Sequence, residues 1–411
     1  MAHLLDIQYY NTFILKGKND SDVVEFHVEE SRIKGGFNDA SVDLGVRAHT
    51  TAEFSGKEER PNALIHSGIF NSKTGVNNIN QFSIGQNITK ALDSQDGSIQ
   101  KLYAEDTNLN VFQEEKVSWV AIDRDVIYTA EGNPQVTTSN KILGQVVPYS
   151  GRYGIGLNPE SFAYYAGRKY FACANKGVIL RLSRDGMTEI SNYGMRSYFR
   201  DTLKTVTKMY GSWDIHNKVY TLSMLGPNTT ISFDEEANGW VSFYTYISTF
   251  AGSIDGRYYS TKAGDIWLHY SNNTRNSFYG GSSNPSIIST SVNAEPSLNK
   301  NFLTLGYEGT SGWSASSINT DLNGVYYTDT AYPIAEYNIS NQDLLISAFK
   351  KQNSSYVANI INETSAKANE VIYGQTMSGV KGMYMVVDMY TSSTEYKELF
   401  TITSNFNINN Y

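Results

Sequence analysis

Residues 167–191 read GRKYFACANKGVILRLSRDGMTEIS, and this stretch decides the fold. Three short apolar runs are separated by turn residues, and the dipeptide Asp185-Gly186 is the strongest local hairpin signal in the chain. The spacing predicts a meander of short antiparallel strands closed at Asp185-Gly186.

The same rhythm extends outward. IQKLYAEDTNLNVFQEEKVSWVAID, VTKMYGSWDIHNKVYTLSM, TTISFDEEANGWVSFYTY and SIDGRYYSTKAGDIWLHYS each read as strands of four to eight residues with close turns. The strand tyrosines Tyr103, Tyr170, Tyr220 and Tyr258 lie 67, 50 and 38 residues apart. Four-stranded propeller blades take ~40–50 residues, with insertions in loops. The wide first gap is then assigned to an insertion over 124–161, which carries the turn Gly132-Asn133-Pro134. The fold class read here is all-β: a degenerate β-propeller with long loop insertions and a small C-terminal β module. A pair of β-sandwiches is the competing architecture. The expected organisation is 1–97 as strands and extended loops (part of the propeller or an interface arm), 98–330 as the propeller core, and 331–411 as the C-terminal module.

Other segments fit around this frame. Residues 195–206 show one helical face, with Tyr198, Phe199, Leu203 and Val206 plugging a gap between blades. Residues 21–30 read as a strand and 35–39 as a turn. Residues 62–100 read as strands with long polar loops, because Ile, Phe and Leu recur among the Asn and Ser. Asn323-Gly324 is a second hairpin signal, residues 341–370 fit strand or short helix equally, and 381–406 reads as strand.

Composition agrees. The chain has 411 residues, enough for one large β architecture. Its 30 tyrosines suit half-buried pleated surfaces. The net charge of −8 is unlike a basic nucleic-acid clamp and would let phosphates pass without holding them. The lone Cys173 forbids an internal disulfide and reads as a small buried apolar residue, with folding in a reducing cytosol. The first residues carry no signal peptide, and no apolar run reaches the ~20 residues of a membrane span.

Chemistry-bearing patterns are missing. The six histidines, His3, His27, His49, His66, His216 and His269, have no metal-ligand spacing. No phosphate-cradle or nucleophile-elbow pattern occurs. The pairs Glu29-Glu30, Glu114-Glu115 and Glu235-Glu236 point to opposite faces of a strand and read as solvated turn residues. Asp123 and Asp125 would share a face, but lack the ligand series of a calcium loop. Residues 183–188, SRDGMT, are one residue short of a sialidase Asp-box and lack its tryptophan, so they read as a plain turn. No catalytic, cofactor-binding or metal residue is expected.

Long stretches do resemble a known family. NPESFAYYAGRKYFACANKGVILRLSRDGMTEISNYGMRSYFRD (158–201), residues 62–132, GDIWLHYSNNTRNSFYGG (264–281), EPSLNKNFLTLGYEGTSGWS (295–314) and KGMYMVVDMYTSSTEYKELFTITSNF (381–406) are similar to muzzle or nozzle proteins of tailed phages, crAss-like and related short-tailed phages among them. The chain is shorter than many members. The resemblance implies a structural virion protein and not an enzyme, assembled in the host cytoplasm. It implies a ring of identical copies in the tail, bound to other tail proteins, with genomic DNA passing through its channel without specific binding. Contact with the host envelope stays open. The alternative is a carbohydrate- or receptor-binding tail module, with Trp213, Trp240 and Trp267 stacking on sugars. A third reading, a propeller glycosidase, rests on the incomplete Asp-box alone.

Overall fold

The structure, a computed structural model, describes residues 14–18, 23–27, 32–34, 60–68, 70–79, 81–83, 88–105, 108–128, 134–281, 284–321, 348–362 and 377–408. Among them it is all-β with a single α-helix. The chain divides into two compact units, Met1–Ile266 and Trp267–Tyr411.

The first unit is dominated by consecutive antiparallel meanders. The first comprises β1 (Ile99–Glu105), β2 (Asn108–Gln113), β3 (Val117–Tyr128) and β4 (Pro134–Pro148). The second comprises β5 (Ala163–Tyr165), β6 (Arg168–Cys173), β7 (Val178–Ser183) and β8 (Gly186–Glu189). The helix α1 (Arg196–Thr202) follows. The third comprises β9 (Lys208–Asp214), β10 (Val219–Leu225), β11 (Thr229–Asp234) and β12 (Gly239–Tyr244). The fourth has three strands, β13 (Ala251–Ile254), β14 (Arg257–Lys262) and β15 (Asp265–Leu268), the last running over the unit boundary at 266/267. Each sheet follows chain order, so its first strand lies at an edge.

The opening stretch explains how these sheets stack. β6 is buried along nearly its whole length because both of its faces are covered. Tyr170, Ala172 and Ile179 enter one core with Met209, Trp213, Tyr220 and Leu222 of the third meander. Phe171, Cys173, Leu180 and Leu182 enter another with Phe112 and Val117 of the first. The period of two in the sequence thus divides one sheet between two cores. Two residues, Arg184 and Asp185, make the β7–β8 loop, since Ser183 pairs with Gly186. Gly186 takes φ 98, a left-handed value that favours glycine.

The helix expected over 195–206 is the shorter α1, with Phe199 and Leu203 buried and Tyr198 and Val206 half-buried on the same core. The segment 124–161 is largely β strand: β3 pairs with β4 from Ser118↔Pro148 to Tyr128↔Pro134. The turn read at Gly132-Asn133 lies outside the described residues. Tyr170, Tyr220 and Tyr258 occupy second strands and are buried, as one repeated position requires. Tyr103 does not belong with them. It lies on a first strand and is half-buried.

Nearer the N-terminus, Ile14–Lys18 pairs with Val23–His27, within the strand expected at 21–30. Ala63–Ile65 pairs with Thr89–Ala91, and Phe70–Asn71 with Val76–Asn77, as short strands between polar loops. The turn read at 35–39 lies outside the described residues.

The second unit packs two sheets over one core. One is β16 (Ser286–Val292), β18 (Ser314–Thr320) and β23 (Met385–Thr391), with β23 central. The other centres on β17 (Lys300–Gly309). It is flanked by β24 (Leu399–Ile408) on one side and by β20 (Ser355–Asn359) and β22 (Val380–Gly382) on the other. β19 (Lys350–Gln352) lies beyond β20, and a further short strand, β21 (Ile361–Asn362), follows β20. Phe302, Leu305 and Tyr307 of one sheet meet Met385, Val387 and Met389 of the other. Lys300 is fully buried, and its Nζ donates to the carbonyls of Glu295 and Leu298 at 2.8 and 2.9 Å. The sequence reading placed a boundary at 330/331, and pairing of 286–320 with 377–408 runs across that position. The described part of 341–370 contains three short strands and no helix. Asn323-Gly324 lies outside the described residues.

Candidate functional site

The most elaborate polar cluster among the described residues lies between the second and third meanders. Glu235, in the β11–β12 turn, reaches back onto the second sheet. Its Oε1 accepts from the Tyr170 hydroxyl at 2.7 Å and its Oε2 accepts from Arg181 Nη1 at 2.6 Å. Arg168 Nη1 stands 3.8 Å from the same Oε2. Asp234 shapes the turn by accepting from the amides of Glu236 and Ala237. Beneath the cluster Tyr165 stacks on Trp213 at 4.4 Å, Trp213 on Tyr170 at 5.4 Å, and Tyr170 on Tyr220 at 5.0 Å.

This arrangement clamps the two sheets together. Both oxygens of Glu235 are occupied by protein donors. Burial, followed by the hydrogen bond and charge of Glu235, holds the Tyr170 hydroxyl protonated far above the ordinary tyrosine range. The sequence predicts a solvated turn residue at Glu235. It is instead sequestered, because Arg181 sits within the apolar β7 and needs a counter-charge.

Neighbouring seams repeat the design with different chemistry. Tyr220 donates to the carbonyl of Ser161 at 2.7 Å. Gly211 lies so close to that carbonyl that an added Cβ would stand 1.9 Å from its oxygen. Tyr258 bonds Ser212 at 2.9 Å, joining the fourth meander to the third. Between the first and second meanders, Lys169 pairs with Glu105, and Tyr103 packs on Tyr164 at 4.8 Å.

The remaining candidates fall into structural places. Cys173 is buried, and burial pushes its thiol up, so it is a poor nucleophile. Glu114 accepts from the amide and hydroxyl of Ser98, which lowers its carboxyl below the usual range, and Glu115 accepts from Asn175. His66, His216 and His269 belong to no metal-binding group, and no such group occurs among the described residues. The side chains of Asp123, Asp125 and His27, and all of His3, His49 and Glu29-Glu30, lie outside the described residues.

Trp213 is 7% exposed, and Trp240 donates to the Ile190 carbonyl at 3.0 Å while packing on Phe199 at 4.6 Å. Both are committed to the core. Trp267 is half-buried, edge-on to Tyr279 at 5.6 Å. The three occupy a first, a fourth and a third strand, so they mark no repeated position. Trp213→Ala is expected to lower the unfolding midpoint in urea, at a cost of about 3–5 kcal/mol. Glycan-array signal that disappears in that variant while its midpoint is unchanged contradicts this placement.

Several buried tyrosines give the first unit an alkaline limit. Tyr149 is pushed from 10.0 up to about 12 by burial and by the charge of Glu105, and Tyr170 and Tyr220 are raised further. A pKa raised by folding contributes stability that is intact below the unfolded value and is lost as pH rises through the folded one. Stability is therefore expected to hold below pH 10.0 and fall between 10.0 and about 12. Urea midpoints across that range, followed with tyrosinate absorbance, check it. A flat profile contradicts it.

The family comparison concerns the second unit. Residues 273–363 match the family described as the Crassvirus muzzle protein C-terminal domain. The match bears out the resemblance in the sequence and supports a muzzle-type tail protein of a crAss-like phage. A search of the curated proteins finds no match. One solved structure, described as a streptogramin B lyase, shares 14% identity over 44% of this chain and 58% of its own, with a TM-score of 0.23. That likeness is too slight to decide fold or activity. Among the described residues no helix is long and apolar enough to cross a membrane.

Proposed function

We propose that this chain is a structural protein of a phage tail, assembled as a ring of identical copies around the channel through which the genome leaves. The observation that carries the reading is the muzzle family match over residues 273–363. The acidic net charge of −8 supports passage of DNA without retention. Neighbouring tail proteins are the other partners, and the virion is its place.

The four meanders of the first unit are read as blades of a degenerate β-propeller. What supports this is the succession of their first strands. Tyr103 of β1 meets Tyr164 of β5, β5 lies against β9, and β9 against β13. Sheets in chain order, joined edge to edge through their first strands, are what radial repetition produces.

Mass photometry of the chain released from virions tests the ring. Particles at an integral multiple of 45.8 kDa are expected. A strictly monomeric species contradicts the reading.

A further inference from the structure

Edge strands are ordinarily protected, because an unpaired row of backbone N–H and C=O groups recruits other strands. Charged side chains, proline and shortness are the usual protections. The five-stranded sheet of the second unit is protected on one side only. Its edge β19 is three residues long and carries Lys350 and Lys351. Its opposite edge, β24, runs ten residues as LFTITSNFNI, with no charge and no proline. Among the described residues β24 pairs with β17 alone.

The three-stranded sheet has a matching edge. β16 reads SIISTSV, again without charge or proline, and pairs only with β23 among the described residues. Exposed apolar side chains fall on both strands: Ile287 at 62% and Ile288 at 45% on β16, Phe400 at 71% and Ile408 at 44% on β24.

The core layer also runs out to both edges. Ile288 pairs with Met389 and Val292 with Met385, both partners fully buried, while Val292 itself is only half-buried. Ile402 and Phe406 of β24 cover Tyr307 and Phe302 in the same way and remain half-buried. Among the described residues each edge therefore leaves backbone groups unpaired and apolar core side chains half-covered. An uncharged extended strand satisfies both at once. This one unit carries two such edges, matched in polarity.

We propose that β24 of one copy pairs with β16 of the next, joining the two sheets into one continuous sheet across the subunit boundary. The contact uses two different surfaces, so repetition closes a ring if the rotation allows it. The proposal rests on the ring reading and adds which strands make the joint.

The test uses the full-length purified chain. Ile288→Lys and Phe400→Lys change exposed side chains, so the circular dichroism spectrum should match the wild type, while the unfolding midpoint should lose its dependence on protein concentration. Each is expected to reduce the particle to the 45.8 kDa monomer in mass photometry. Cys173 is buried, so introduced thiols can be addressed separately. Ile288→Cys chains mixed with Thr401→Cys chains should give covalent dimers with a bis-maleimide, and neither variant alone should. The lysine variants assembling at wild-type mass, with no mixed cross-link, overturns the joint while the ring stands. Cross-linking of Thr401→Cys chains by themselves overturns it in favour of like edges pairing. A wild-type chain that is monomeric at every concentration overturns the ring reading itself.

Discussion

Tyr220→Ala is expected to cost the first unit about 3–5 kcal/mol, the loss typical of truncating a large buried aromatic. Tyr220 is fully buried, and its neighbours cannot easily close the space. One face stacks on Tyr170 at 5.0 Å, and the hydroxyl holds the Ser161 carbonyl at 2.7 Å. Against a typical net stability of about 5–15 kcal/mol, this is a large fraction. Tyr220→Phe keeps the ring and removes only the hydroxyl, so it should cost about 1–2 kcal/mol. Urea denaturation followed by near-ultraviolet circular dichroism measures both. Equal costs for the two variants contradict the packing account.

Glu235→Ala is expected to cost about 2–3 kcal/mol, above the value for an ordinary surface ion pair of at most about 1 kcal/mol. The removed carboxylate leaves the Tyr170 hydroxyl and the Arg181 guanidinium unpaired in the seam between two sheets. The side chains of Glu235 and Arg181 are only 15% and 17% exposed, so water cannot readily replace the lost partner. Combining Glu235→Ala with Arg181→Met should recover part of the loss, because the second change removes the stranded charge. Unfolding midpoints of the two single variants and the double variant form the cycle. Simple additivity contradicts the clamp.

These residues differ in how visible they are in the sequence. Tyr170, Tyr220 and Tyr258 can be found as a recurring strand tyrosine, because each sits on the second strand of a meander with turn residues on both sides. Tyr103 fits the same spacing for an unrelated reason, since counting residues does not reveal which strand of a sheet is meant. Glu235 is hidden because Glu235-Glu236 in a loop looks solvated. The available signal was its partner: Arg181 interrupts the apolar run VILRLS and has to be neutralised. The hairpin at 183–186 is local and legible. The pairing of β16 with β23, from Ser286↔Thr391 to Val292↔Met385, leaves no local mark. For that reason the boundary at 330/331 could not take account of it.

The proposed ring around the genome's exit channel can be seen or refuted in an electron-microscopy map of the intact tail. Copies of this chain are expected to repeat about the tail axis, with the strands at 286–292 and 399–408 facing each other across each subunit boundary and an open channel at the centre. A chain present as isolated single copies away from the axis contradicts it.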